Sequence, residues 1–231
     1  MSLKYIENSR KILCIGRNYA AHIKELGNAR PKRPMFFMKP PTSILKPGEG
    51  PLLIPKGVSA HYEVELAFIL NKDLKHLPTT FSKQDAIDSI EGYALAIDMT
   101  ARNVQNEAKA KGLPWTLVKG FDTFLPLSGL IPKSKIPDPY NVNLKLSVDG
   151  QVKQDDKTDL MIFPIEEILV HMSSIMTLQK GDLILTGTPK GVGPVQPGET
   201  LDASLSVDGE ILESISVKAE ESASPYFFEE S

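Results

Sequence analysis

The chain has 231 residues, 26 of them basic and 29 acidic, for a formal net charge of −3. At roughly 150 residues per domain this leaves one large domain or two small ones, and the single cysteine, Cys14, excludes an intramolecular disulfide framework and points to a reducing compartment. The composition, 41% apolar and 24% charged, excludes a disordered chain, and no apolar run approaches the ~18 residues of a helical membrane span.

The charge is unevenly spread. Residues 1–60 carry eleven Lys/Arg against Glu7, Glu25 and Glu49, a balance of +8; residues 61–231 carry −11. A basic block of this kind suits a nucleic-acid arm, a targeting segment or a cationic wall facing an acidic site. Residues 1–11 make a poor presequence, being short, interrupted by Glu7 and lacking a long amphipathic helix. Residues 11–16 (KILCIG) read as a strand. Residues 18–27 read as a helix with Tyr19, Ile23 and Leu26 on one face and Gly27 at its end. Seven prolines between residues 30 and 58 impose loops and short edge strands, although MFFM and PLLI are too apolar for a linker.

From residue 61 the pattern changes. Residues 61–70 (HYEVELAFIL) begin in alternation and end in an apolar run, the mark of a buried strand. A short helix follows at 83–90, a strand at 92–98 (GYALAID) and a helix at 100–111, closed by Gly112 and Pro114. Residues 115–118 and 123–128 read as short strands. Asp149-Gly150 and Asp208-Gly209, each between alternating apolar residues, predict hairpins. A helix over 165–176 begins after Pro164, and a strand over 182–186 leads into a glycine-rich loop at 187–193. Strands dominate without regular β-α alternation, so the fold class is β-rich α+β. One domain over 1–231 is expected, with 1–60 as a basic segment folding onto a core over 61–231.

Several side chains can carry chemistry. Glu63 and Glu65, two apart in a strand, project from one face, and burying both requires a cation; the competing reading is an exposed strand face. Asp98 is either a third oxygen ligand or a helix-capping acid. Three carboxylates without cysteine select a hard cation, Mg²⁺ or Mn²⁺, over structural Zn²⁺. His22 and Glu25 are neighbours at i, i+3, a pairing that raises the basicity of an imidazole and suits a general base, or else an ordinary surface pair. Arg102, Gln105 and Lys119 are either anion-holding groups or solvated surface charge. The loop GTPKGVG lacks both the Walker and the dinucleotide spacing; its amides and Thr188 can face an anion, or it is simply a tight turn. Cys14, His76 and His171 read as structural, and Tyr226-Phe227-Phe228 as a packed tail. The chain lacks the interleaved aromatics, motif and high overall pI of a nucleic-acid binder.

Taken in order, GRNYAAHIKELG (16–27), FFMKP (36–40), HYEVEL (61–66), AIDMTARNVQ (96–105), WTLVKGFD (115–122) and LTGTPKGVG (185–193) resemble the fumarylacetoacetate hydrolase superfamily, in particular its short eukaryotic branch of acylpyruvases and oxaloacetate tautomerases or decarboxylases. The resemblance implies a mixed β-sandwich roll, usually a homodimer. It implies Mg²⁺, with Mn²⁺ or Ca²⁺ as substitutes, on Glu63, Glu65 and Asp98. His22 with Glu25 would be an acid/base dyad on a lid, and Lys119 would stabilise substrate charge. Arg17, Arg102, Gln105 and Thr188 would line the anion pocket.

The expected activity is enolate chemistry on small 2-oxo dicarboxylates. Oxaloacetate enol–keto tautomerisation ranks first, because it asks only for proton transfer. Acylpyruvate hydrolysis and oxaloacetate decarboxylation share the same machinery. A non-catalytic metal- or dicarboxylate-binding protein is the alternative of a different class. Relatives of this branch are commonly mitochondrial, with the cytoplasm as the other expectation; no membrane or nucleic-acid partner is expected. On this reading the basic block, with Arg17, His22, Glu25 and Lys39, is a wall and lid over an acidic metal site. Deleting residues 1–30 would then remove catalysis and leave some metal affinity.

Overall fold

The computed structural model describes residues 3–25, 27 and 29–229. The first third contains α1 (Lys4–Asn8), β1 (Ile12–Gly16), α2 (Ala20–Glu25), β2 (Met35–Lys39), β3 (Ile44–Leu45) and β4 (Leu52–Ile54). Then come β5 (Ala60–Tyr62), β6 (Val64–Leu70), α3 (Lys83–Asp88), β7 (Ile90–Ile97), β8 (Thr100–Ala101), α4 (Arg102–Lys111), α5 (Thr116–Lys119), β9 (Leu125–Pro126) and β10 (Ile131–Pro132). The last third holds β11 (Asn143–Val148), β12 (Gln151–Lys157), α6 (Ile165–Ile175), β13 (Leu183–Leu185), β14 (Gly193–Pro194), β15 (Thr200–Val207) and β16 (Glu210–Glu221).

The larger sheet has the order β10-β7-β6-β13-β1-β2 and is antiparallel except for the parallel pair β1/β13. A second sheet, β12-β11-β15-β16-β4, is built from the two predicted hairpins plus β4. Asp149, Gly150, Asp208 and Gly209 all have positive φ, as a two-residue hairpin turn requires. The expected β-rich α+β architecture is therefore present.

All seven residues of β6 are buried because the large sheet is covered on both faces. Leu66, Phe68 and Leu70 alternate into the main core with Leu95 and Ile97 of β7 and with Leu144, Leu146, Leu201 and Leu205 of the second sheet. On the other face Ala67, Ile69, Ala94 and Ala96 join Ile12, Cys14, Leu183 and Leu185, covered by Tyr5 and Ile6 of α1 and by Leu125 and Leu127. On this second face the rows 65-67-69 and 94-96-98 finish in carboxylates at the same sheet end.

The structure corrects or adds to the sequence reading in five places. Residues 61–70 are two strands, broken at Glu63: β5 pairs with β8 and β14 in a small separate sheet, while β6 enters the large one. Residues 115–118 are not a strand. The Trp115 carbonyl accepts from the Val118 and Lys119 amides and starts α5; a run of four residues, three of them apolar, carries too little periodicity to distinguish the two. The predicted helical face keeps Tyr19 and Ile23 buried, with Tyr19 just ahead of α2, whereas Leu26 lies outside the described residues. His76 sits exposed at positive φ and not in the core. Finally, β1 of the basic block is an interior strand between β13 and β2, with Ile12, Leu13 and Cys14 fully buried. The block is therefore built into the sheet as well as bordering the site.

Candidate metal and substrate site

The break at Glu63 creates the site. Val64, the next residue, donates its amide to the Gln154 side chain at 3.0 Å, and the Glu63 carbonyl accepts from the Asp98 amide at 2.8 Å. This brings the ends of β6 and β7 together. Glu65 lies opposite Ala96, two residues before Asp98. Carboxylate oxygens of Glu63, Glu65 and Asp98 lie within 4.8 Å of one another, and all three residues are buried. Asp98 does not cap α4, whose N-cap is Ala101 with no side-chain cap bond.

Three cations neutralise most of this charge. Lys39 Nζ lies 2.8 Å from Asp98 Oδ1 and also donates to the Met99 carbonyl. Lys119 Nζ bridges Asp98 Oδ2 at 2.8 Å and Glu63 Oε2 at 2.9 Å. Arg102 Nη2 reaches Glu63 Oε1 at 2.7 Å, and its Nη1 donates to Gln105 Oε1 at 2.6 Å. Burial opposes the charge on Lys119, yet Asp98 and Glu63 outweigh it and hold the ammonium well above the ordinary lysine range. Burial likewise opposes the charge on Glu63, and Lys119 and Arg102 hold its carboxyl well below the usual range.

Glu65 is the exception. Its Oε2 accepts a 2.7 Å bond from the Gly187 amide, and no cation pairs with it among the described residues. Burial, then the charges of Asp98 and Glu63, push its carboxyl well above the usual range. A buried, all-oxygen donor set with one carboxylate lacking a counter-charge fits a hard cation. The residues present can therefore hold a metal ion.

Arg17, His22, Gln105 and Thr188 line the same pocket as Glu63 and Glu65. His22 is buried, with Nδ1 3.4 Å from Glu25 Oε2; Glu25 also accepts from the Gly191 amide at 3.2 Å, tying α2 to the glycine-rich loop. Gly187 begins that loop at φ +96, where a Cβ would lie 2.8 Å from the Asn18 Cβ, so only glycine fits. Thr188 Oγ1 donates to the Val64 carbonyl and accepts from Gln154 Nε2 at 2.8 Å, so its hydroxyl is occupied in fixing the loop. All ten residues singled out from the sequence therefore converge. Eight of them line the pocket, and Asp98 and Glu25 join it through Lys119 and His22.

Other residues here escaped the sequence reading. Gln154, fully buried on β12, joins the metal-side strand to the loop. Lys109 and Trp115 line the pocket. The spacing of Lys109 from Arg102 and Gln105 along α4 could have revealed it; nothing local marks Gln154.

Residues 11–216 match the fumarylacetoacetate (FAA) hydrolase C-terminal family. The chain belongs to that family. Within it, the chain is 53% identical over 218 residues to the mitochondrial oxaloacetate tautomerase oaa1 of Schizosaccharomyces pombe, covering 93% of this chain and 98% of that one. It is 51% identical over 204 residues to the mitochondrial oxaloacetate decarboxylase of Dictyostelium discoideum, covering 88% and 92%. Among solved family structures, the yeast protein ynq8 superposes with a TM-score of 0.91 at 43% identity, over 99% of this chain and 100% of that one. Fumarylpyruvate hydrolase from Pseudomonas aeruginosa, in complex with Mn²⁺ and pyruvate, superposes with a TM-score of 0.82 at 33% identity, over 93% and 91%.

Proposed function

We propose that this protein is an oxaloacetate tautomerase, interconverting the enol and keto forms with Mg²⁺ held by Glu63, Glu65 and Asp98. The observation that carries the reading is the buried carboxylate triad beside Lys119, in one pocket with His22. The family relatives named oxaloacetate tautomerase and decarboxylase supply the substrate. The charge balance agrees. Lys39, Lys119 and Arg102 offset the three carboxylates, so a divalent cation leaves a double positive charge for a dianion.

When bound, the cation supplies Lewis-acid stabilisation of the oxyanion at C2. Lys119, kept protonated by Asp98 and Glu63, adds a second positive group near that oxygen and does not act as a base. Glu25 orients His22 through Nδ1, leaving Nε2 to deliver or remove the proton at C3. Ketonisation then breaks the enol O–H bond and the C2=C3 π bond and forms the C2=O π bond and a C3–H bond, with no carbon–carbon σ bond cleaved. Arg17, Arg102 and Gln105 border the substrate's anionic groups, with the charge of Arg102 already committed to Glu63, and Thr188 fixes the loop beside them. Mn²⁺ and Ca²⁺ suit the same oxygen donors.

The test follows freshly dissolved enol-oxaloacetate by ultraviolet absorbance, with and without Mg²⁺, while CO₂ release and acetylpyruvate cleavage are measured on the same preparation. Metal-dependent ketonisation faster than either supports the proposal; dominant acetylpyruvate cleavage overturns it. Hydrolysis of an acylpyruvate is the second reading, favoured by the likeness to the fumarylpyruvate hydrolase. The names of the relatives place them in mitochondria, and we assign this protein the same compartment. A homodimer, implied by the family, is tested by sedimentation.

A further inference from the structure

The cations around the site differ in how much charge they have to spare. Lys39, Lys119 and Arg102 are each within 2.9 Å of a triad carboxylate. Lys109 lies on α4 at i+7 from Arg102 and i+4 from Gln105, so the three share one helix face, and all line the pocket. It has no carboxylate partner among the described residues. Its Nζ stands 6.0 Å from the ring centroid of Trp115, which lines the same pocket. Lys111, two residues on, is instead paired with Glu107.

We propose that Lys109 is a specificity-determining residue that binds the distal carboxylate of a dicarboxylate substrate, with Trp115 holding its ammonium over the pocket. The inference rests on the substrate being a small 2-oxo dicarboxylate. The triad end of the pocket, with Lys119, takes the carboxylate and oxygen shared by every 2-oxo acid. Discrimination for a second carboxylate requires a cation not already neutralised, and Lys109 meets that requirement together with Arg17. Partial burial and the neighbouring charges of Arg102 and Arg17 lower the lysine's proton affinity, so an incoming carboxylate relieves a repulsion already present.

The test uses a non-reacting pair. Malate is lactate with a distal carboxylate added, and both keep the carboxylate and 2-oxygen. Calorimetry with each in Mn²⁺ buffer, on the wild type and on Lys109→Met, Lys109→Arg and Lys111→Met, isolates the distal contact. Lys109→Met is expected to cut the malate-to-lactate affinity ratio about tenfold, the scale of one charged contact, with lactate binding unchanged. Lys109→Arg is expected to keep the ratio, as is Lys111→Met. In the oxaloacetate assay, Lys109→Met should raise KM about tenfold with kcat within about twofold. An unchanged ratio, or an equal loss of lactate affinity, overturns the proposal. A wild type that leaves enol-oxaloacetate untouched defeats the functional reading, while the malate-to-lactate ratio still judges Lys109.

Discussion

Gln154 accepts the Val64 amide at 3.0 Å through Oε1, and the other end of the same amide donates to Thr188 Oγ1 and the Pro189 carbonyl. One fully buried side chain on β12 thus holds the backbone between Glu63 and Glu65 and the loop that caps Glu65. Gln154→Ala leaves the Val64 amide without a partner in a dry interior. It is expected to cost about 3 kcal/mol of stability, read by urea unfolding, with weaker metal binding. A variant as stable as the wild type would show that water replaces the clamp.

Glu65 is the carboxylate with no counter-charge, and Asp98 and Glu63 crowd it. Glu65→Gln removes that repulsion. Without metal, its Tm should equal or exceed that of the wild type. The rise in Tm that Mg²⁺ or Mn²⁺ gives the wild type should be absent. Calorimetric scans with and without the ion check both, and a retained metal-induced rise would remove Glu65 from the ligand set.

His22 lies in the pocket but outside the cluster of candidate metal ligands. His22→Ala is expected to lower kcat for enol-oxaloacetate at least about 100-fold, the usual scale for an acid/base group, while keeping the metal-induced rise in Tm. Wild-type rates on every 2-oxo acid tried would refute the dyad.

Asp182 is 1% exposed; its Oδ2 accepts from the Gln179 amide and Lys11, while Oδ1 has no partner. Burial pushes the carboxyl up despite Lys11. The folded state therefore keeps its proton where the unfolded chain, at an ordinary 3.8, has lost it. The sign follows: this group's contribution falls as pH rises from that value through the raised one. Asp182→Asn should gain stability relative to the wild type over that window and level off above it. Urea unfolding from pH 4 upward checks this, and parallel curves would contradict it.

Deleting residues 1–30 takes out β1, the partner of both β13 and β2. The truncated chain is expected to show no cooperative unfolding transition. This replaces the expectation of a folded, inactive, metal-binding remnant. A cooperative transition in circular dichroism would restore that earlier view.

The sequence by itself determined the hairpins, because Asp-Gly between alternating residues demands positive φ locally, as Asp149 and Asp208 adopt. It determined β6, β7 and α4 from their periodicity and the αL glycine, Gly112. Its ordered motifs also drew together Glu63, Glu65, Asp98, Lys119 and His22 in advance. Only the tertiary structure decided the rest. The strand break at Glu63 depends on Gln154, ninety residues away, supplying the bond a neighbouring strand would have made. The helical state of 116–119 is set by the Trp115 carbonyl and by Lys119 reaching Glu63 and Asp98. Of the basic residues in 1–60, Lys39 is buried against Asp98 and Arg17 lines the substrate cavity, while Lys4, Arg10, Lys24, Arg30, Lys32, Arg33 and Lys56 lie exposed on the surface. Local composition records the charge a segment carries; which opposite charge it meets is fixed only when distant strands close the sheet.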